Sequence, residues 1–110
     1  MGYLVVLVTA SSADEAGRIG QAVVHERLAA CANLVPSIAS IYWWQGKVEQ
    51  AGEALLILKT REDLLEALQD RVRVLHSYSV PEVIALPLVG GHPDYLRWID
   101  ESVRAPEPHR

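Results

Sequence analysis

The stretch IASIYWWQGKVEQAGEALLILKT, residues 38–60, decides the fold. Its first limb alternates up to Trp44, Gln45-Gly46 supplies a two-residue turn, and Lys47–Lys59 runs back. On the return limb Val48, Ala54, Leu56 and Leu58 fall on one face, while Glu49, Glu53 and Lys59 fall on the other. The segment reads as a long β-hairpin whose first limb begins near Ala32. A limb of about thirteen residues spans roughly 43 Å, about twice a typical strand. The excess must project from the core, and its tip carries Tyr42, Trp43 and Trp44. An exposed aromatic cluster of that kind suits a contact between subunits. The hairpin therefore predicts a symmetric oligomer assembled through hairpin tips and strand edges.

Upstream, YLVVLVT (Tyr3–Thr9) is β-rich and apolar on both faces, the pattern of an interior strand. Ser12 and Glu15 form a capping box for a helix running to Ala29 or Ala30, with Ala16, Ile19, Val23 and Val24 inward. Gly17 and Gly20 weaken that helix, which suggests that it lies close on a sheet. Downstream, Thr60 with Asp63 caps a second helix striped by Leu64, Leu68, Val72 and Leu75. The loop HSYSVPE (His76–Glu82) leads to a last strand, VIALPLV, which Gly90-Gly91 ends. Pro93 then opens a C-terminal helix with Tyr95, Leu96, Ile99 and Val103, and residues 105–110 read as a frayed tail.

The order βαββαβ plus one helix is an α+β, ferredoxin-like arrangement with an antiparallel sheet. Proline placement tests it independently. Pro36 and Pro87 fall in the second and fourth strands, the two edges of that topology, where a missing N–H is tolerated. The first and third strands, which would be central, contain none.

Composition bounds the function. The chain has 110 residues, half of them apolar, which is one domain over residues 1–110 with a real core. Ten basic against fourteen acidic residues give a net charge of −4, which argues against nucleic acid as a partner. A single cysteine forms no internal disulfide and fits a reducing compartment. The apolar run Tyr3–Val8 is too short to span a bilayer and lacks a basic leader. The expectation is a cytoplasmic protein with no membrane partner.

Few residues offer chemistry. Cys31 is either a small buried hydrophobe or a thiolate ligand, and with no second cysteine any CxxC site is excluded. His76, Tyr78 and Glu82 share one loop after a helix C-terminus. His76 either favours the negative end of that helix or binds Cu(II), Ni(II) or Zn(II), with Glu82 as an oxygen ligand. His25 reads as a solvent-facing helix residue, His92 as a helix start and His109 as tail. Glu49 and Glu53 read as solvent or subunit contacts. No nucleophile–base pairing, G-x-S-x-G or phosphate loop occurs, so no enzymatic activity is indicated.

Five segments together resemble one family: ERLAACANLVP (Glu26–Pro36), SIYWWQGKVE (Ser40–Glu49), LLILKT (Leu55–Thr60), HSYSVPEVIALP (His76–Pro87) and PDYLRWI (Pro93–Ile99). In this order they are similar to the CutA divalent-ion tolerance family over nearly the whole chain. The resemblance implies a ferredoxin-like homotrimer with an architecture like the PII signalling proteins. It also implies a role in divalent-ion tolerance, copper especially, with no established enzyme activity and no obligatory cofactor. The family's cysteine falls on Cys31, and its loop histidine, tyrosine and glutamate fall on His76, Tyr78 and Glu82. The implied metal ligands are thus His76, Glu82 and Cys31, and the implied subunit contacts are Tyr42, Trp43, Trp44 and Tyr78. Where many members read H-P-Y-E-V-P-E, this chain has Ser77 and Ser79, so one carboxylate is missing.

Two other functions compete with metal homeostasis. One is a PII-like sensor of a small anion held by Lys59, Arg61 and helix N-termini. The other is a structural scaffold on which metal binding is adventitious.

Overall fold

The computed structural model describes residues 2–106, so the expected tail lies mostly outside the described residues. The elements are β1 (Tyr3–Ala10), α1 (Ala13–His25), β2 (Cys31–Trp44), β3 (Lys47–Arg61), α2 (Leu65–Leu75), β4 (Val83–Pro87) and α3 (Pro93–Ser102). The strands form one antiparallel sheet in the order β2-β3-β1-β4. This is the expected topology. Pro36 sits on one edge, within a register shift between Val35 and Ile38, and Pro87 closes the strand on the other.

Alternation along the central strands sorts their side chains to two faces. Leu4, Val6 and Val8 of β1, with Ala54, Leu56 and Leu58 of β3, are buried beneath the helices. All but Ala54, which packs with Ala10 and Ala16, join Ile19 and Val23 of α1 and Leu68 and Val72 of α2 in one core. The opposite face carries Val5, Leu7, Leu55 and Ile57, only half-buried, beside Ile84 and Leu86 at 51% and 49% exposure. Among the described residues no helix covers that aliphatic band.

The hairpin turns at Gln45 and Gly46, both at positive φ (49° and 79°), the two-residue turn whose twist matches the flanking strands. Its tip is bare, with Trp43 at 75% and Val48 at 58% exposure.

Several boundaries differ from the sequence reading, and β4 is one of them, stopping at Pro87 two residues short of Val89. Helix α1 stops at His25 rather than at Ala29 or Ala30. Arg27 turns left-handed (φ 65°), and the N–H groups of Leu28 and Ala29 return to the Val23 carbonyl. The Ala30 N–H is already donated to the Lys59 carbonyl at 2.8 Å, so sheet pairing takes the residues that the helix would need. Thr60 does not cap α2. It lies fully buried one residue before the end of β3, and its Oγ1 donates to the Leu28 carbonyl at 2.7 Å, holding the turn after α1 to the sheet. A short 3-10 turn, Glu62–Leu64, enters α2 with no side-chain cap, and Asp63 pairs with Arg61 instead.

The two helix glycines separate cleanly. A Cβ on Gly20 would stand 3.2 Å from Leu56 Cδ1 and 3.3 Å from Ala32 Cβ, whereas one on Gly17 meets nothing within 4 Å. Close approach to the sheet explains Gly20 alone. Gly17→Ala should therefore raise unfolding free energy by about 0.5–1 kcal/mol through helix propensity. Gly20→Ala should be worse than Gly17→Ala by about 1 kcal/mol or more, as crowding against Leu56 offsets that gain. Urea unfolding of both variants checks the pair.

Candidate functional site

The loop His76–Glu82 crosses from the end of α2 to the start of β4. His76 leaves the helix in extended backbone (φ −82°, ψ 142°), which swings its ring back against β1. The ring is wholly buried. Its Nδ1 accepts the Tyr78 N–H at 3.0 Å, so the ring proton sits on Nε2 and is donated to the Thr9 carbonyl at 2.7 Å. Both nitrogens are committed within the fold, and neither offers a metal a free lone pair. The ring also packs on Tyr78 at 4.6 Å between centroids.

Behind the histidine lies Glu15, which the sequence reading took only as a capping residue. Ser12 Oγ does cap the helix, accepting the Glu15 N–H at 3.1 Å. The Glu15 carboxylate, only 5% exposed, does not return to the Ser12 backbone. Its Oε1 accepts the Ser11 N–H (3.0 Å) and Oγ–H (2.8 Å), and its Oε2 accepts the Ser77 N–H at 2.7 Å. Oε2 also stands 3.9 Å from His76 Nδ1. Burial pushes this carboxyl up, but the hydrogen bonds from Ser77 and Ser11 outweigh it and hold the group down at about 2. Nothing local in SSADEAG signals a partner 62 residues away.

On the open face of the sheet, the loop and the hairpin enclose a cleft of about 640 Å³. Tyr42, Trp44, Glu53, Tyr78, Val80 and Glu82 dominate its lining. Tyr78 bridges it, donating its hydroxyl to Glu53 Oε2 at 2.8 Å. Burial first, then that hydrogen bond and the charges of Glu53 and Glu15, push the phenol up to about 12. Among the described residues two carboxylates line the cleft and no Lys, Arg or His does, so its field favours a cation.

Of the expected ligands only Glu82 faces this cleft. Cys31 pairs with Lys59 across the hairpin, while Thr9, beneath His76, pairs with Leu55. Four residues of β3 put the two levels about 13 Å apart. The thiol donates to Asn33 Oδ1 at 3.5 Å, and Lys59 Nζ bonds the same oxygen. The structure thus does not bring His76, Glu82 and Cys31 together. Among the described residues no group of three His, Cys, Asp or Glu side chains is placed to hold a metal.

The cations nominated for an anion are likewise occupied, Lys59 by Asn33 and Arg61 by Asp63 (3.0 Å) and Asp100 (3.3 Å). His92 caps α3, its Nδ1 accepting the Asp94 N–H at 3.1 Å, and exposed His25 bonds Gln21. His109 lies outside the described residues. Of the expected subunit contacts, Tyr42, Trp44 and Tyr78 line the cleft, and alternation puts Trp43 on the opposite face of the ribbon.

The CutA1 divalent ion tolerance family matches residues 4–102. The chain belongs to that family. It is 48% identical over 98 residues to the divalent-cation tolerance protein CutA of Thermus thermophilus, covering 89% of this chain and 95% of the relative. It is 50% identical over 101 residues to the chloroplastic protein CutA 1 of Oryza sativa, covering 92% of this chain but 57% of that protein. The chain thus spans little more than half the length of the plant relative. The crystal structure of CutA1 from Oryza sativa superposes with a TM-score of 0.92 at 49% identity, covering 94% of this chain and 95% of that one. CutA proteins are named for ion tolerance and not for a reaction, and no described helix is long and apolar enough to cross a membrane.

The depressed Glu15 carboxyl has a consequence in acid. A group whose folded pKa lies below its unfolded value contributes stability above the unfolded value and loses it as pH falls through the folded one. Between about pH 4.5 and about pH 2 the native protein should lose stability through Glu15. Glu15→Gln should start less stable at pH 7 and show a flatter decline over that window, read from unfolding midpoints against pH.

Proposed function

We propose that this chain works as a cytoplasmic homotrimer in divalent-cation homeostasis and takes Cu(II) in the cleft between hairpin and loop. The observation that carries the metal reading is the cleft's lining, with Glu53 and Glu82 present and no cationic side chain among the described residues there. Carboxylate oxygens are competent Cu(II) ligands, and copper leads the divalent series in affinity for such donors. Glu82 and Glu53 are the proposed ligands. His76 serves the site from behind, by holding the Tyr78 backbone.

The trimer reading rests on the bare aliphatic face of the sheet, Val5, Leu7, Leu55, Ile57, Ile84 and Leu86, and on the projecting hairpin. An apolar band of this kind on a small domain calls for a partner surface. Trp43 and Val48 extend the same demand to the hairpin tip. The cytoplasmic reading rests on the free Cys31 thiol, since a lone cysteine suits a reducing compartment. A sensor of small anions finds no support in the cleft, whose charge has the wrong sign.

Chelator-competition titration of the reduced protein tests the metal site. Glu82→Gln should weaken Cu(II) binding by about tenfold, the loss of one charged ligand, and Cys31→Ser should leave it unchanged. Affinity indifferent to Glu82 would make the metal adventitious and favour the scaffold. For the assembly, Ile57→Glu should convert a trimer to monomer in light scattering, because it buries a charge in an apolar interface. A wild-type monomer at micromolar concentration would refute the oligomer outright.

A further inference from the structure

We propose that Glu15 is a positioning residue for the cleft, fixing through the Ser77 N–H the loop that presents Tyr78 and Glu82. The role of the cleft rests on the cation-binding reading above, and the positioning itself rests on geometry alone. Residues 77–82 have no backbone-to-backbone hydrogen bond among those described, and Ser77, Ser79 and Val80 are exposed. Side chains tie the loop instead. Glu15 takes the Ser77 N–H, His76 takes the Tyr78 N–H, and Glu53 takes the Tyr78 hydroxyl. These bonds run in sequence from the start of α1 to the cleft wall.

Helix capping does not account for the Glu15 carboxylate. Ser12 Oγ already supplies the cap. The carboxylate divides its two oxygens between Ser11 on one side and Ser77 on the other. Only a carboxylate accepts on both sides. Glutamine has one carbonyl oxygen, so its NH₂ would face a donor at Ser11 or at Ser77 and break that bond. The buried oxygen therefore works as a strap between two segments 62 residues apart.

Ser77 itself provides the control. Proline at this position removes the N–H that needs an acceptor. The preceding residue, His76, already has the extended backbone that a residue before proline favours (ψ 142°). If the strap acts through the Ser77 N–H, Glu15→Gln has nothing left to disturb in a Ser77→Pro background.

The experiment uses the whole 110-residue chain and three variants: Glu15→Gln, Ser77→Pro and the double. NMR of the His76 ring nitrogens and of the Tyr78 amide reads the loop, and Cu(II) titration against a chelator reads the cleft. The expected result for Glu15→Gln is loss of the single Nε2–H tautomer signature at His76, a shifted Tyr78 amide and Cu(II) affinity lower by about tenfold, the worth of one charge-assisted hydrogen bond. In the Ser77→Pro background the same change should leave the His76 and Tyr78 signals where Ser77→Pro put them.

Unchanged His76 and Tyr78 signals in Glu15→Gln would overturn the proposal. So would equal shifts in both backgrounds, which would assign the effect to Ser11 alone. If Glu15→Gln does not fold, hydrogen exchange on the wild-type protein decides. The Ser77 amide should be protected despite its exposed side chain, and exchange at the rate of an unstructured chain would overturn the strap. A Glu82→Gln variant with unchanged Cu(II) affinity would refute the metal reading, while the His76 and Tyr78 signals would still decide the role of Glu15.

Discussion

The structure depends on a sheet that is covered on one side only. In β1 and β3 the side chains directed at α1 and α2 are sealed, and those between them are not. A strand with two apolar faces wants two apolar neighbours, and this chain supplies one. The shape follows from that shortage. Helix α1 comes close enough at Gly20 that a single Cβ would crowd Leu56. The opposite band, from Val5 to Ile57 and out to Leu86, stays open to a partner. Burying such a band against a second copy would add hydrophobic stabilisation to that of the core under the helices.

Against this apolar frame the three buried polar residues among those described, Glu15, Thr60 and His76, act alike. Each bonds the backbone of an irregular segment or strand end distant in sequence. Thr60 donates to the Leu28 carbonyl, His76 to the Thr9 carbonyl, and Glu15 accepts the Ser77 N–H. Buried polar groups are costly unless satisfied, and among the described residues no buried side-chain polar atom is left without a partner. The result is directional. Hydrophobic contacts hold the sheet to the helices without fixing where a loop must lie, whereas each of these bonds does so for one turn. Satisfaction inside the fold also removes such groups from other chemistry. A histidine with both nitrogens engaged is a structural member, whatever its side chain offers in isolation.

Features carried by local periodicity were legible in the sequence. The hairpin, its turn at Gln45-Gly46, the strand order and the edge position of Pro36 and Pro87 all follow from alternation and from the missing proline N–H. What escaped were features decided by partners far along the chain. The end of α1 has no glycine or proline to mark it, because competition from the Lys59 carbonyl for the Ala30 N–H sets it. Thr60 looked like a cap since Asp63 follows at capping distance, yet the Leu28 carbonyl claims its hydroxyl. The sequence put His76, Tyr78 and Glu82 in one loop correctly. It did not reveal that His76 turns inward while Tyr78 and Glu82 turn to the cleft, since that depends on Thr9 and Glu53.

The departure at Ser77 takes on a different meaning in this light. Compared with the proline common in the family, serine looked like a simple loss, and with Ser79 it costs the loop a rigid residue and a carboxylate. Serine also restores a backbone N–H, and an N–H beside a buried carboxylate does not stay idle. Glu15 captures it at 2.7 Å, replacing covalent stiffness by a charge-assisted hydrogen bond. The two devices differ physically. A proline ring restrains φ at any pH, whereas a carboxylate strap holds only while ionised, and the bonds from Ser77 and Ser11 keep it ionised down to about pH 2. Over the whole physiological range the carboxylate stays ionised, so pH does not release the strap, and the Tyr78 side of the cleft is held by a hydrogen bond rather than by a proline ring.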